Sequence, residues 1–256
     1  MEVVTFESRG DIAYIKLNRP QALNAFTQES FDRLNSAIER YRDDPALKAA
    51  IVYGEGARAF SAGMDLKAYA AKDSETRKAT LNLIHFADPA YCDKPVVAAI
   101  RGFCMGAGLH LALSCDFRVC ASDAIFALPE VELGISLTRL SWQCVRTMGM
   151  PAAIELCMLA ERRNAQWALD HQLVHRVTAP GAELAEAEKI ARRLASLSAP
   201  AMSVTKITLY KAYDLTYPEM FEFSLPLRNA VLDAGSTSPT GSVAHDQRID
   251  RNDPLS

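Results

Sequence analysis

The sequence predicts an α/β core followed by a helical module. Strand-like apolar runs alternate with helix-length segments as far as about residue 180, and helices alone follow, the order of a layered α/β architecture. At AFSAGMD (59–65) and again at KPVVAAIRGFCMGAG (94–108), a buried strand leads through a glycine turn into a helix. The chain has 256 residues, 49% of them hydrophobic, enough for one substantial core. No internal repeat is visible in the sequence.

Residues 3–6 and Ile12–Leu17 alternate apolar and polar side chains around Ser8-Arg9-Gly10-Asp11, which reads as a β-hairpin. RPQALNAF (19–26) breaks into a loop. Thr27 is placed to cap a helix through about Tyr41, with Phe31, Leu34 and Ile38 on one face. Residues 49–53 form a buried strand, and 66–90 are helical with a charged centre, KDSETRK. Val96–Ile100 and 117–120 are strands flanking a helix at 106–114. Helices are expected at 139–160 and 165–171, a short strand at 174–177, and three helices near 181–197, 199–213 and 217–232. Ser198-Ala199-Pro200 separates two of these. The last twenty or so residues are polar and rich in Gly, Pro and Ser, and read as a loose tail or an arm ordered by a partner. The chain therefore divides into a core over 1–195 and a helical module with a polar tail over 196–256.

The net charge of −3 gives no electrostatic footprint for nucleic acid. No apolar run reaches the roughly 20 residues that span a bilayer. The opening MEVVTFESRGD is acidic and alternating, unlike a signal peptide. The six cysteines (92, 104, 115, 120, 144, 157) form no CxxC pair and mostly sit in apolar runs. They read as reduced, buried thiols in a cytoplasmic protein, with no cysteine-only zinc site. His171 and His175 have i,i+4 spacing, but a strand is expected from Val174 and no third ligand is near. They read as loop surface, and no metal is expected.

A strand, a glycine turn and a helix start together present unpaired N–H groups at a positive helix end. Such a site suits a developing oxyanion, although the same glycines would also serve to relieve crowding. His110 lies in the first turn or so of the second helix, and Glu130 in a turn twenty residues later, within FALPEVELG. These are the candidate proton carriers. Glu132 shares a face with Glu130 if the segment is extended, so spacing alone does not separate them. Cys104 has no sequence-adjacent base and reads as a small buried hydrophobe.

Four ordered blocks resemble the crotonase superfamily, also called the enoyl-CoA hydratase/isomerase family. They are LNRPQALNAF at 17–26, AFSAGMDL at 59–66, KPVVAAIRGFCMGAG at 94–108 and CDFRVCASDAIFALPEVELGI at 115–135, and the resemblance runs over roughly 3–232. It implies a crotonase-like spiral of ββα units, a C-terminal helical module that forms a homotrimer or a dimer of trimers, and a coenzyme A thioester as ligand. Coenzyme A would then be part of the substrate, with no separate cofactor. By the same likeness the thioester carbonyl lies between the N–H groups of Met64 and Ala107, each of which follows a glycine. Ala22 and Leu23 match a loop that packs on the adenine, and Ala62, Asp65 and Leu66 match the opposite wall. Arg19 and Lys67 are either phosphate partners or solvated surface charges. Glu130, not Glu132, matches the inward carboxylate of the PE turn.

The sequence also departs from that pattern. Hydratases of the family carry a second carboxylate where this chain has His110, which serves either as an acid/base or as a neutral group lining the acyl pocket. After Gly134 a glycine-rich, PGAGG-like loop is replaced by ISLTRLSWQCVRTMG, whose Leu137 and Trp142 are expected to reshape the acyl pocket. The tail lacks the family's basic, aromatic ending. A hydratase would use Glu130 and His110 together. An isomerase needs one base, so the single carboxylate slightly favours it on mechanism. The alternatives are a His110-assisted acyl-CoA hydrolase and a catalytically weak acyl-CoA-binding protein.

Overall fold

The computed structural model describes residues 2–70, 75 and 92–235. Most of the helix expected at 66–90, and most of the polar tail, lie outside the described residues. The chain forms two compact units that meet between Tyr210 and Lys211.

The first unit carries two sheets. The larger has the order β1(Val4–Arg9), β2(Ile12–Leu17), β3(Ala49–Gly54), β5(Val96–Ile100), β7(Phe117–Ala121), β10(Arg176–Thr178). Its first two strands form the expected hairpin, with Arg9 opposite Ile12 across Gly10-Asp11. Every later pairing is parallel. The smaller sheet has the order β4(Ala59–Ser61), β6(Phe103–Met105), β8(Ile125–Ala127), β9(Arg163–Asn164). Three times the chain leaves a long strand of the first sheet, adds a short strand to the second, and turns into a helix or 3-10 turn. These are the ββα turns of a spiral, and three-residue strands explain why no repeat shows in the sequence.

The long strands read as unbroken apolar runs because the sheet is covered on both faces. Period-2 alternation divides them: Ala50, Val52, Ala98 and Ile100 enter one core with the helix Gln28–Asp43. Ala49, Ile51, Val97 and Ala99 face the helix Glu183–Ala195 through its Ala187, Ile190 and Ala191. The alanines on both sides of that contact, Ala49 and Ala99 on the sheet and Ala187 and Ala191 on the helix, allow close approach of helix to sheet. The helix Gln28–Asp43 starts where expected, with Thr27 Oγ1 accepting the Ser30 N–H at 3.3 Å, a cap contributing about 1 kcal/mol.

Several expectations change in detail. The helix expected at 139–160 spans Thr138–Leu159 but breaks at Gly149, whose φ is +76°; Pro151 opens its second half. The strand expected at 174–177 is Arg176–Thr178. Ahead of it the Val174 N–H bonds the Ala168 carbonyl instead, at 3.1 Å. The three-residue strands β6 and β8 and the two-residue β9 are too short for periodicity to reveal. All six cysteines are buried and unbridged.

The helix Ala199–Lys211 is anchored by a buried ion pair. Lys206 Nζ meets Asp116 Oδ2 at 2.9 Å and the Lys94 carbonyl at 2.8 Å, while Tyr210 donates to Asp116 Oδ1 at 3.0 Å. In the second unit the helix Tyr217–Gly235 has no buried residue, although it carries Phe221 and Leu232. No helix among the described residues is long and apolar enough to cross a membrane.

Candidate active site

The loop before the first helix straps down the first glycine turn. Asn24 is buried at a φ of +53°. Its Oδ1 accepts the Arg19 N–H at 2.9 Å, and its Nδ2 donates to the Ala59 carbonyl at 2.8 Å. Ser61 Oγ donates to the Asn24 carbonyl at 2.9 Å and accepts the Gly63 N–H at 3.2 Å. Phe26 N–H then bonds the Gly63 carbonyl at 2.8 Å, and Asp65 N–H bonds the Phe26 carbonyl at 2.9 Å. This parallel bridge leaves the Met64 N–H out of the ladder.

The second turn comes from β6. Gly106 has φ +49° and caps the helix Ala107–Ser114, so the Ala107 N–H has no intrahelical acceptor. Steric contact fixes both glycines. A Cβ on Gly63 would lie 2.9 Å from the Met105 carbonyl oxygen and 3.4 Å from the Ala107 nitrogen. A Cβ on Gly106 would lie 2.8 Å from Glu130 Oε1. The two turns and the Glu130 carboxylate therefore meet at one place.

Glu130 sits in the 3-10 turn Pro129–Leu133, closed by Gly134 at a φ of +68°. Its Oε2 is buried with no hydrogen-bond partner among the described residues. Burial pushes its carboxyl above the ordinary carboxylate range, opposed only by its own backbone N–H. Glu132 is exposed and outside the cavity wall.

A cavity of about 560 Å³ opens over this meeting point. Residues 62–64, Leu66, Gly106 and Ala107 form one side; His110, Pro129 and Glu130, then Leu133 and 135–140, complete it. His110 is 8% exposed on a helix whose every residue is buried, and it makes interactions within the chain. The structure thus gathers Met64, Ala107, His110 and Glu130 around one space. Ala62 and Leu66 also line it, whereas Ala22, Leu23 and Asp65 do not. Leu23 is tied to that wall by the Ala62 N–H, which bonds its carbonyl at 3.0 Å. Asp65 accepts the Ala68 N–H and pairs with Arg19 at 3.2 Å, and these hold its carboxyl below the usual range. Arg19 is committed to Asp65 and the Ala25 carbonyl, while Lys67 is exposed.

Trp142 does not shape the pocket. It is 56% exposed, with the Arg146 guanidinium 4.3 Å from its ring centroid. Two residues beyond the buried Leu140, it points to the opposite side of the helix. Leu137 does line the cavity. Sequence reasoning passed over Ser136, Thr138 and Arg139, which also line it. The available signal is a cation, Arg139, within a largely apolar stretch. Cys104 is fully buried and its thiol is pushed well up by burial, the opposite of an activated nucleophile. His171 stacks on Trp167, and His175 Nδ1 accepts the Arg118 N–H at 3.2 Å. Among the described residues no three potential metal ligands converge.

Comparison with known proteins places these features. A family model described as enoyl-CoA hydratase/isomerase matches residues 7–241. A probable enoyl-CoA hydratase of Rhizobium meliloti (strain 1021) is 34% identical over 223 residues, covering 87% of this chain and 86% of that protein. A carnitinyl-CoA dehydratase of Citrobacter koseri is 37% identical over 215 residues, covering 82% and 81%. The crystal structure of an enoyl-CoA hydratase from Mycobacterium tuberculosis H37Rv superposes with a TM-score of 0.83 at 28% identity, over 93% of this chain and 92% of that one. The spiral of ββα turns is thus a crotonase-like fold.

Proposed function

The chain belongs to the enoyl-CoA hydratase/isomerase family, and from that premise we propose that it forms the enolate of a coenzyme A thioester and moves protons with Glu130. The observation that carries this reading is the convergence of Glu130 with the two glycine turns, Gly106 meeting its Oε1. The thioester oxygen would accept the N–H groups of Met64 and Ala107. Negative charge developing there in the transition state meets donors already fixed by the fold. Ala62 and Leu66, with the loop carrying Ala22 and Leu23, would hold the coenzyme A; Asp65 would support that wall by capping the helix Leu66–Ala70.

A single carboxylate favours double-bond isomerisation. Ionised Glu130 takes a proton from the α-carbon of a β,γ-enoyl thioester, the electron pair moves onto the thioester oxygen, and the same carboxyl returns the proton at the γ-carbon. Its raised affinity for protons makes it the stronger base once ionised. The second reading is reversible hydration, supported by His110 in the same cavity and by the hydratase and dehydratase names of the relatives. There water adds at the β-carbon, with Glu130 and His110 sharing the proton transfers. Neither reaction calls for a cofactor beyond the substrate's own coenzyme A.

Glu130→Gln keeps the shape and removes the proton chemistry. It is expected to lower turnover by about 10²-fold or more with binding largely intact, assayed on a panel of enoyl-CoA thioesters. Mass spectrometry detects water addition or free acid, and chromatography detects double-bond migration. Near-normal turnover by Glu130→Gln would overturn this mechanism in favour of a His110-centred hydrolase; no turnover of any thioester by the wild type, with tight binding, would leave a binding protein.

The same reading extends to assembly as a homotrimer or dimer of trimers. Met150, Ile154 and Met158 form an exposed i,i+4 stripe, and the unburied helix Tyr217–Gly235 adds Phe221 and Leu232, more apolar surface than an isolated chain keeps in water. A light-scattering mass equal to one 28.1 kDa chain at micromolar concentration would refute assembly.

A further inference from the structure

We propose that Arg139 makes this cavity selective for acyl groups that carry a second anionic group, such as a terminal carboxylate, at the end remote from the thioester. The proposal rests on the acyl-CoA reading above and names the substrate class of that same site.

The described lining holds one carboxylate, Glu130, and one guanidinium, Arg139. They belong to different parts of the wall. Glu130 meets the glycine turns where the thioester would react. Arg139 follows on a stretch that begins with the apolar Leu133, Ile135 and Leu137. An acyl chain anchored at Met64 and Ala107 and passing Glu130 would run along those apolar side chains towards Arg139. Ser136 and Thr138, near neighbours of Arg139 in sequence, add two hydroxyl side chains to the same lining. A cation with two neighbouring hydroxyl donors offers a carboxylate a forked, charge-assisted site. A wholly aliphatic chain would make no use of it.

The same inventory argues against a cationic acyl group. A quaternary ammonium is held by aromatic rings or carboxylates. Among the described residues of the lining there is no Phe, Tyr or Trp, and the only carboxylate is the one proposed for proton transfer. A fixed positive charge on the substrate would also meet the Arg139 guanidinium. Arg139 already interacts within the chain; the incoming anion would join or replace that partner, which its exposed position permits.

The test compares binding of butyryl-CoA, glutaryl-CoA and free coenzyme A by calorimetry. The two thioesters differ only by a terminal carboxylate. Wild type is expected to bind glutaryl-CoA about tenfold or more tighter, the range of one charge-assisted hydrogen-bonded contact. Arg139→Gln should abolish the difference while leaving butyryl-CoA and coenzyme A unchanged, and Arg139→Lys should keep part of it. Thermal unfolding checks that both variants fold. If Arg139→Gln weakens all three ligands alike, the guanidinium holds the coenzyme A phosphates and the proposal is overturned. Equal wild-type binding of the two thioesters overturns it as well, with the acyl-CoA reading intact. Binding of neither thioester by the folded wild type sinks that reading and the proposal with it.

Discussion

The two walls of the cavity are built by different means. One consists of backbone: Gly63 and Gly106 pack so closely that a single added carbon would strike Met105, or the Glu130 carboxylate. The other, from Leu133 to Leu140, consists of side chains, and most of its residues are exposed or half-buried. A backbone wall has little freedom to vary, because its donors are peptide N–H groups fixed by strands and a helix start. A side-chain wall can change without disturbing the fold. The first is suited to chemistry common to many thioesters, the second to choosing among them.

The sharpest way to break this comparison is Gly106→Ala. The new Cβ would sit 2.8 Å from Glu130 Oε1 at a φ of +49°, displacing donor and base together. Turnover is expected to fall by about 10²–10³-fold, equally for every acyl group. Steady-state kinetics on two thioesters reads this out, and a changed ratio between them would mean that the backbone wall also selects.

Leu137→Ala tests the other wall. It lengthens or widens the acyl end of the cavity, so the kcat/KM ratio between a long and a short acyl chain should shift by roughly tenfold, with the better substrate's kcat little changed. A uniform fall for all chain lengths would place Leu137 with the chemistry instead.

The smallest effect is on stability. Glu130 has a folded-state affinity for protons raised by burial, so the fold binds a proton at that site more tightly than the unfolded chain does. The stabilising contribution is complete below the unfolded value and is lost as pH rises through the raised one. Near neutrality the buried charge therefore opposes folding. Glu130→Gln should raise the Tm by a few degrees at pH 7–8, about 1 kcal/mol or less, and the gain should disappear towards pH 4. Activity that needs the ionised carboxylate should fall on acidification at a pH above the ordinary carboxylate range. An unchanged Tm across that range would show that Glu130 is better solvated than its unpartnered oxygen implies.

Much of this molecule was legible in its sequence. The parallel strands β3 and β5 announce themselves as apolar runs because both of their faces are buried, and Thr27 caps the first helix by a local hydrogen bond. Glu130 could be separated from Glu132 only by the pattern of the PE turn; the structure adds that a 3-10 turn, not an extended segment, carries them. Trp142 and Leu137 looked equivalent in the sequence, yet Leu137, just before the helix Thr138–Leu159, lines the cavity, whereas the helix turns Trp142 out to Arg146.

The sequence by itself determined local matters: the long strands and helices, where the glycine turns fall, and the Thr27 cap on the first helix. Each depends on residues within a few positions of one another. Tertiary structure alone decided how far apart the pieces lie. Gly63, Gly106 and Glu130 are distant along the chain and meet only because three ββα turns stack. The pairing of Lys206 with Asp116 and the entry of Arg139 into the cavity wall have the same origin. No periodicity encodes such contacts, since they follow from the registers of neighbouring strands and from which helix faces the packing leaves towards the cavity.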